Sequence, residues 1–129
     1  MDVVSLYELY KEYPTICTDS RKVSKNCIYF SLKGDNFDGN DFAIEALEKG
    51  AAYAITDNQS LPERKGLIKV ENGLKALQDL SSYHRHQFDI PVLGITGSNG
   101  KTTTKELIHA VLSQKFSVLA TEGNFNNHI

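Results

Sequence analysis

The chain has almost no excess of either charge: 14 lysines and arginines face 16 aspartates and glutamates, a net of −2 with histidine neutral. That balance removes the electrostatic reason to expect nucleic acid or an anionic membrane surface as a partner. Cysteine is scarce as well. Cys17 and Cys27 stand ten apart, outside any C-x-x-C spacing, and read as two buried, reduced thiols. The opening MDVVSLYELYKEYP lacks both the basic start and the apolar run of a signal peptide. No stretch approaches the roughly 18 apolar residues of a membrane span, and no internal repeat or low-complexity segment is visible. What is left is ordinary soluble, globular composition, 40% hydrophobic and 23% charged, in a chain of 129 residues. That length suits one domain, or a small domain and a piece of a second. A cytoplasmic protein without membrane insertion is the expectation.

Val3, Leu6, Tyr7, Tyr10 and Tyr13 recur at helical spacing; Ser5-x-x-Glu8 could cap that helix and Pro14 ends it. CIYFSLK (27–33) alternates, with Ile28, Phe30 and Leu32 on one face, as a strand does. GDNFDG (34–39) is turn-rich. Phe42, Ile44, Ala46 and Leu47 suggest a short helix closed by Gly50. AYAIT (52–56) and LIKV (67–70) read as strands around a polar loop, and Leu74, Leu77, Leu80 and His84 form the next helical stripe. IPVLGIT (90–96) reads as a buried strand, 101–114 as an amphipathic helix and SVLAT (117–121) as one more strand. Strands alternating with helices imply an α/β chain with largely parallel pairing. A domain boundary is placed near Phe88–Pro91, where the polar HRHQFD run gives way to apolar residues.

The stretch GITGSNGKTTT (94–104) has the residues a phosphate requires. Gly97 and Gly100 let the backbone turn tightly and aim N–H groups at anionic oxygens. The start of the following helix adds a partial positive charge at the same place. Lys101 can reach β- and γ-phosphates, and the Thr102 hydroxyl can ligate Mg²⁺. The usual G-x-x-x-x-G-K-[ST] spacing would put its first glycine at position 95. Ile95 stands there, with Gly94 and Gly97 on either side, a pattern unlike the commonest nucleotide hydrolases and small GTPases. The reading is a nucleoside-triphosphate site rather than a glycine-rich turn with a surface lysine.

These residues, together with T-D-S-R at 18–21, Y-F-S-L-K-G-D-N-F-D-G-N-D-F at 29–42 and T-E-G-N-F-N-N-H-I at 121–129, resemble the Mur ligase family of peptidoglycan synthesis. Within it the ending is most similar to the member that joins D-alanyl-D-alanine to UDP-MurNAc-tripeptide. The resemblance runs from about residue 15 to the end, but reaches only the front of the family's three-domain chain. It implies a small UDP-sugar-binding α/β domain over 1–89. The opening strand, P-loop, helix and strand of a parallel-sheet ATPase domain would follow over 90–129, as in a truncated piece of the whole. The reaction implied is ATP-driven amide synthesis. The substrate carboxylate takes the γ-phosphoryl group as an acyl phosphate, and the amine of D-alanyl-D-alanine displaces phosphate.

Carried over by residue, Gly97, Ser98, Asn99, Gly100, Lys101, Thr102 and Thr103 would form the ATP loop. Lys101 and Thr102 would be the catalytic pair, with Thr102 on Mg²⁺. Ser20, Arg21, Asn40 and Asp41 would meet the UDP-sugar substrate, with Asn40 where relatives often carry histidine. Asn124, Asn126 and Asn127 would border its sugar and pyrophosphate. The family's second Mg²⁺-binding acid, carbamylated lysine and base contacts would lie further on, so the 129 residues alone are expected to be inactive.

Each motif also has a plainer reading. T-D-S-R could be a local Asx turn, and GDNFDG a hairpin connection without a ligand. His84, Arg85 and His86 lack a metal-ligand partner at suitable spacing and read as a solvated helix end. The tyrosine stripe reads as packing. His109 reads as surface or packing. Competing functions are another Mur-type ligase that adds the third peptide residue, a folylpolyglutamate-type ligase, a non-catalytic UDP-sugar-binding module and a P-loop regulator or kinase. Oligomeric state and the third peptide residue stay open.

Overall fold

Helix α1 (Val3–Glu12) starts at Asp2, whose side chain accepts a hydrogen bond from the Ser5 N–H at 2.8 Å. The capping residue is therefore Asp2 and not Ser5, which lies inside the first turn and donates its backbone N–H to the cap. The computed structural model describes residues 1–35 and 37–122. Strands β1 (Ile16–Cys17), β2 (Ile28–Phe30), β5 (Tyr53–Thr56) and β6 (Leu67–Lys69) form one sheet in that order. All its neighbours are parallel, with Cys17 opposite Tyr29, Phe30 opposite Ile55 and Thr56 opposite Lys69. A separate antiparallel pair, β3 (Lys33–Gly34) and β4 (Phe37–Asp38), makes GDNFDG a hairpin. A 3₁₀ turn (Gly39–Phe42) then leads into α2 (Ala43–Glu48). Gly50 follows α2 at φ +106°, a left-handed conformation that closes a helix at little cost only when there is no side chain. Helix α3 (Gly73–His86) begins at an Asn72 cap bonded to the Lys75 N–H.

The alternation in CIYFSLK predicts one covered face, yet Cys27, Ile28, Tyr29, Phe30 and Ser31 are all fully buried. The reason is that both faces of the sheet are packed. Ile28, Phe30 and Ile55 meet Leu6 of α1 and Leu77 and Leu80 of α3. On the other side, Cys27, Tyr29 and Ala54 meet Ala43 and Ala46 of α2. Parallel strands are covered on both faces because their crossovers lie there, and small alanines let α2 approach closely. Cys17 and Cys27 are buried free thiols, as expected, and burial pushes the Cys17 thiol up.

The chain divides between Phe88 and Asp89 into two units. In the second, α4 (Lys101–Leu112) forms where the sequence indicates. The expected strands at 90–96 and 117–121 do not form. A strand needs a neighbour's backbone groups, and among the described residues neither segment is paired in a sheet. Val92 and Leu93 are accordingly exposed, and Leu119 is 99% exposed. Helix α4 itself buries no residue.

Candidate functional site

The phosphate loop keeps the backbone its sequence demands. Gly97 has φ +144°, and Gly100, the N-cap of α4, has φ +76°, both unfavourable for residues with a side chain. A Cβ at Gly94 or Gly100 would meet nothing within 4 Å, and one at Gly97 only the Asn99 carbonyl at 3.9 Å, so the loop is uncrowded at its glycines. Helix α4 differs from α1 and α3 in having no side-chain cap, and its first turn carries no acidic residue. Its N-terminal partial charge is therefore not neutralised by the chain itself, which favours an anion there. Lys101 folds back to donate its ammonium to the Gly97 carbonyl. Phosphate oxygens would compete for that ammonium as stronger, charged acceptors. Ser98, Asn99, Thr102 and Thr103 are exposed on the loop and the first helical turn.

The residues present fit a nucleotide's phosphates, and Thr102 offers one hydroxyl oxygen to a hard cation. Among the described residues no cluster of three or more His, Cys, Asp or Glu could hold a metal ion. That suits Mg²⁺, which usually takes one or two protein ligands plus phosphate oxygens. One turn further, Lys105 donates to the Thr121 carbonyl at 2.6 Å, tying α4 to the segment that follows it.

In the first unit, the four parallel strands end at one edge of the sheet, where α/β proteins commonly bind ligands. Thr18–Arg21 follow β1 there, residues 31–42 follow β2, and Asp57 follows β5. The T-D-S-R turn is an Asx turn, the plainer of its two readings. Asp19 accepts from the Arg21 N–H at 3.0 Å, from Nε at 2.9 Å and from Nη2 at 2.9 Å. The guanidinium and that N–H hold the Asp19 carboxyl down at about 2. Two of the three guanidinium nitrogens are thus engaged, yet the side chain is 86% exposed, so the guanidinium is oriented and still accessible. Ser20 is 6% exposed, and its carbonyl accepts from Lys49 at 3.1 Å.

Asn40 is 4% exposed and fully engaged inside the protein. Its Nδ2 donates to Asp38 Oδ1 and to Asp57 Oδ1, each at 2.8 Å. Its Oδ1 accepts from Thr56 Oγ1 at 2.6 Å and lies 2.9 Å from Ser31 Oγ. The single hydroxyl hydrogen of Ser31 is shared with the Ile55 carbonyl. Direct substrate contact through this amide, the role expected from the sequence, would require breaking one of these bonds. Asp41, next to it, is exposed. Asp38 also caps the 3₁₀ turn through the Asn40 N–H at 2.9 Å, the main cause of its lowered pKa. Beneath the turn, Tyr29 donates its hydroxyl to the Gly39 carbonyl, and burial pushes the phenol up to about 12.

Sequence reasoning missed Ser31, Asp38, Thr56 and Asp57, which hold this edge together. The available signal was a run of short polar residues at the ends of two otherwise apolar strands. His84 is also more than a solvated helix end. Its ring lies 5.0 Å from Tyr10 and 4.9 Å from Phe88, while Tyr7 meets Tyr83 at 5.1 Å. Tyr7 and Tyr10 pack against α3 and Tyr13 against Tyr53 of β5, so the tyrosine stripe is packing, as expected. His86 is exposed. Asn124, Asn126 and Asn127 lie outside the described residues.

Comparison with known proteins follows the same two regions. Residues 12–85 match the Mur ligase family, catalytic domain, and residues 95–129 match the Mur ligase middle domain. The UDP-N-acetylmuramoyl-tripeptide–D-alanyl-D-alanine ligase of Bacillus subtilis is 44% identical over 116 residues, covering 88% of this chain and 25% of the relative. That of Synechocystis is 45% identical over 116 residues, covering 88% and 26%. The crystal structure of the MurF ligase from Thermotoga maritima in complex with ADP superposes with a TM-score of 0.78 at 36% identity, covering 87% of this chain and 26% of that one. The chain therefore spans about a quarter of the length of these relatives. No helix among the described residues is long and apolar enough to cross a membrane.

Proposed function

The chain belongs to the Mur ligase family, and from that premise we propose that it is the front of an ATP-dependent ligase joining D-alanyl-D-alanine to UDP-MurNAc-tripeptide. The observation that carries the reading is the uncapped, positively poised start of α4 behind Gly97 and Gly100, with Lys101 at its first position. It occurs in a chain whose relatives carry that ligase's name and include one structure with ADP bound. Residues 1–89 would bind the UDP-sugar, and 90–129 would open the ATP-binding domain.

In this reading Gly97, Ser98, Asn99, Gly100 and Thr103 present the loop and helix N–H groups to the phosphates, and Lys101 neutralises the β- and γ-oxygens. Mg²⁺, held by Thr102 together with phosphate oxygens, would supply further charge neutralisation. Phosphoryl transfer is chiefly positioning and charge stabilisation, which is what this loop provides. The terminal carboxylate of the tripeptide takes the γ-phosphoryl group and ADP leaves. The amine of D-alanyl-D-alanine then attacks the acyl carbon, phosphate leaves, and the amine's surplus proton is lost. Arg21 and Asp41 would meet the UDP-sugar directly, with Ser20 and Asn40 shaping the edge from within. Asn124, Asn126 and Asn127 would complete it. Such nucleotide-linked substrates would put the reaction in the cytoplasm.

The test is acceptor and donor choice by the complete ligase. With ATP and Mg²⁺, UDP-MurNAc-tripeptide and D-alanyl-D-alanine should give the pentapeptide product with matching ADP release. UDP-MurNAc-dipeptide with single amino acids should give none. The reverse preference would reassign the chain to the ligase that adds the third residue.

A further inference from the structure

The C-terminal edge of the sheet contains a carboxylate that the proposed reaction does not use. Asp57 follows β5 directly, and its two oxygens serve different elements. Oδ1 accepts from Asn40 Nδ2 at 2.8 Å, and Oδ2 accepts from the N–H of Gly73, the first residue of α3, at 3.2 Å. A Cβ on Gly73 would lie 3.2 Å from the Ser31 carbonyl, so α3 begins hard against the end of β2. Asp57 therefore joins the start of α3, the end of β5 and the turn after β4.

The bonds beyond Asn40 extend this linkage. Asn40 Nδ2 also donates to Asp38, which caps the 3₁₀ turn and lies 3.5 Å from Lys33 of β3. The amide orientation is unambiguous on chemical grounds. Reversing it would set its oxygen against two carboxylate oxygens, which have no hydrogen to give, and would leave the Thr56 hydroxyl without its acceptor. Buried amide–carboxylate bonds of this kind are stronger than neutral ones and fix a single geometry. Asp41 is the next residue after Asn40 and is exposed at the edge where the substrate is expected.

We propose that Asp57 is a positioning residue for the UDP-sugar site: through Asn40 it fixes the turn that presents Asp41, without itself touching substrate. This rests on the ligase reading above. It assigns substrate affinity partly to a residue after β5, a region the site motifs do not include.

The experiment is steady-state kinetics of the complete ligase with Asp57→Ala and Asp57→Asn. Asp57→Ala should raise KM for UDP-MurNAc-tripeptide about tenfold, leaving KM for ATP and for D-alanyl-D-alanine within twofold. Asp57→Asn keeps one oxygen for Asn40 but turns its NH₂ toward the Gly73 N–H, and should raise the same KM about threefold. A purely structural role would lower the active fraction, and so kcat, without changing one KM selectively. An unchanged KM for the UDP-sugar, or an equal rise in all three, would overturn the proposal. If Asp57→Ala does not fold, Asp57→Asn decides by the same criterion. A wild-type ligase that makes no product from UDP-MurNAc-tripeptide would instead overturn the reading on which the proposal rests.

Discussion

Lys101→Ala in the complete ligase is expected to lower ligation at least about a thousandfold while leaving UDP-sugar affinity within about twofold. The size follows from what the residue supplies. Losing a single neutral donor from a preorganised anion site costs about 10²–10³ in rate, and Lys101 carries a full charge at the site of phosphoryl transfer. The selectivity follows from location. Lys101 starts α4 in the second unit, and its hydrogen-bond acceptor is Gly97 of its own loop. Ser20, Arg21 and Asp41 lie in the first unit. Product formation and UDP-sugar binding, measured on the same preparation, check both halves. Retained ligation would mean that the loop does not handle ATP.

Gly39→Ala is expected to destabilise the first unit by about 3 kcal/mol, the upper range for overpacking at a rigid site. A Cβ at Gly39 would lie 2.6 Å from the Leu32 carbonyl oxygen, 2.8 Å from the Leu32 nitrogen and 3.1 Å from the Ser31 carbonyl carbon. All three are backbone atoms, so no side chain can swing aside. Two hydrogen bonds hold Gly39 in place: its N–H donates to the Leu32 carbonyl at 2.9 Å, and its carbonyl accepts from the buried Tyr29 hydroxyl at 3.1 Å. Moving the turn to admit the methyl would weaken both and displace Asn40. Urea unfolding followed by circular dichroism gives the magnitude. Gly94→Ala is the matched control, since a methyl there meets nothing within 4 Å, and should change stability by less than about 0.5 kcal/mol.

The parts of this protein legible in its sequence are those whose cause is local. The pattern on which the phosphate-loop proposal rests lies in seven consecutive residues, and α1, α3 and α4 follow from helical spacing and end signals. The hairpin at GDNFDG follows from turn residues. Less legible is whatever depends on partners distant in the chain. CIYFSLK shows one alternating face, but the burial of Cys27 and Tyr29 depends on Ala43, Ala46 and Ala54. Asn40 reads as a surface contact because its partners Ser31, Thr56 and Asp57 stand 9, 16 and 17 residues away. IPVLGIT and SVLAT fail as strands for the same reason in reverse: their composition suits a sheet, but pairing requires other strands. The cap of α1 is Asp2 and not the Ser5 read from the sequence, because the cap is the side chain that meets a free N–H of the first turn and geometry decides which one does.

Carboxylate activation by ATP can be followed atom by atom. UDP-MurNAc-tripeptide labelled with ¹⁸O in its terminal carboxylate, turned over with ATP and D-alanyl-D-alanine by the complete ligase, should release inorganic phosphate carrying one ¹⁸O per amide formed. Unlabelled phosphate, or ¹⁸O appearing in AMP, would contradict transfer of the γ-phosphoryl group to the carboxylate and with it the role assigned to the loop at Gly97–Thr103.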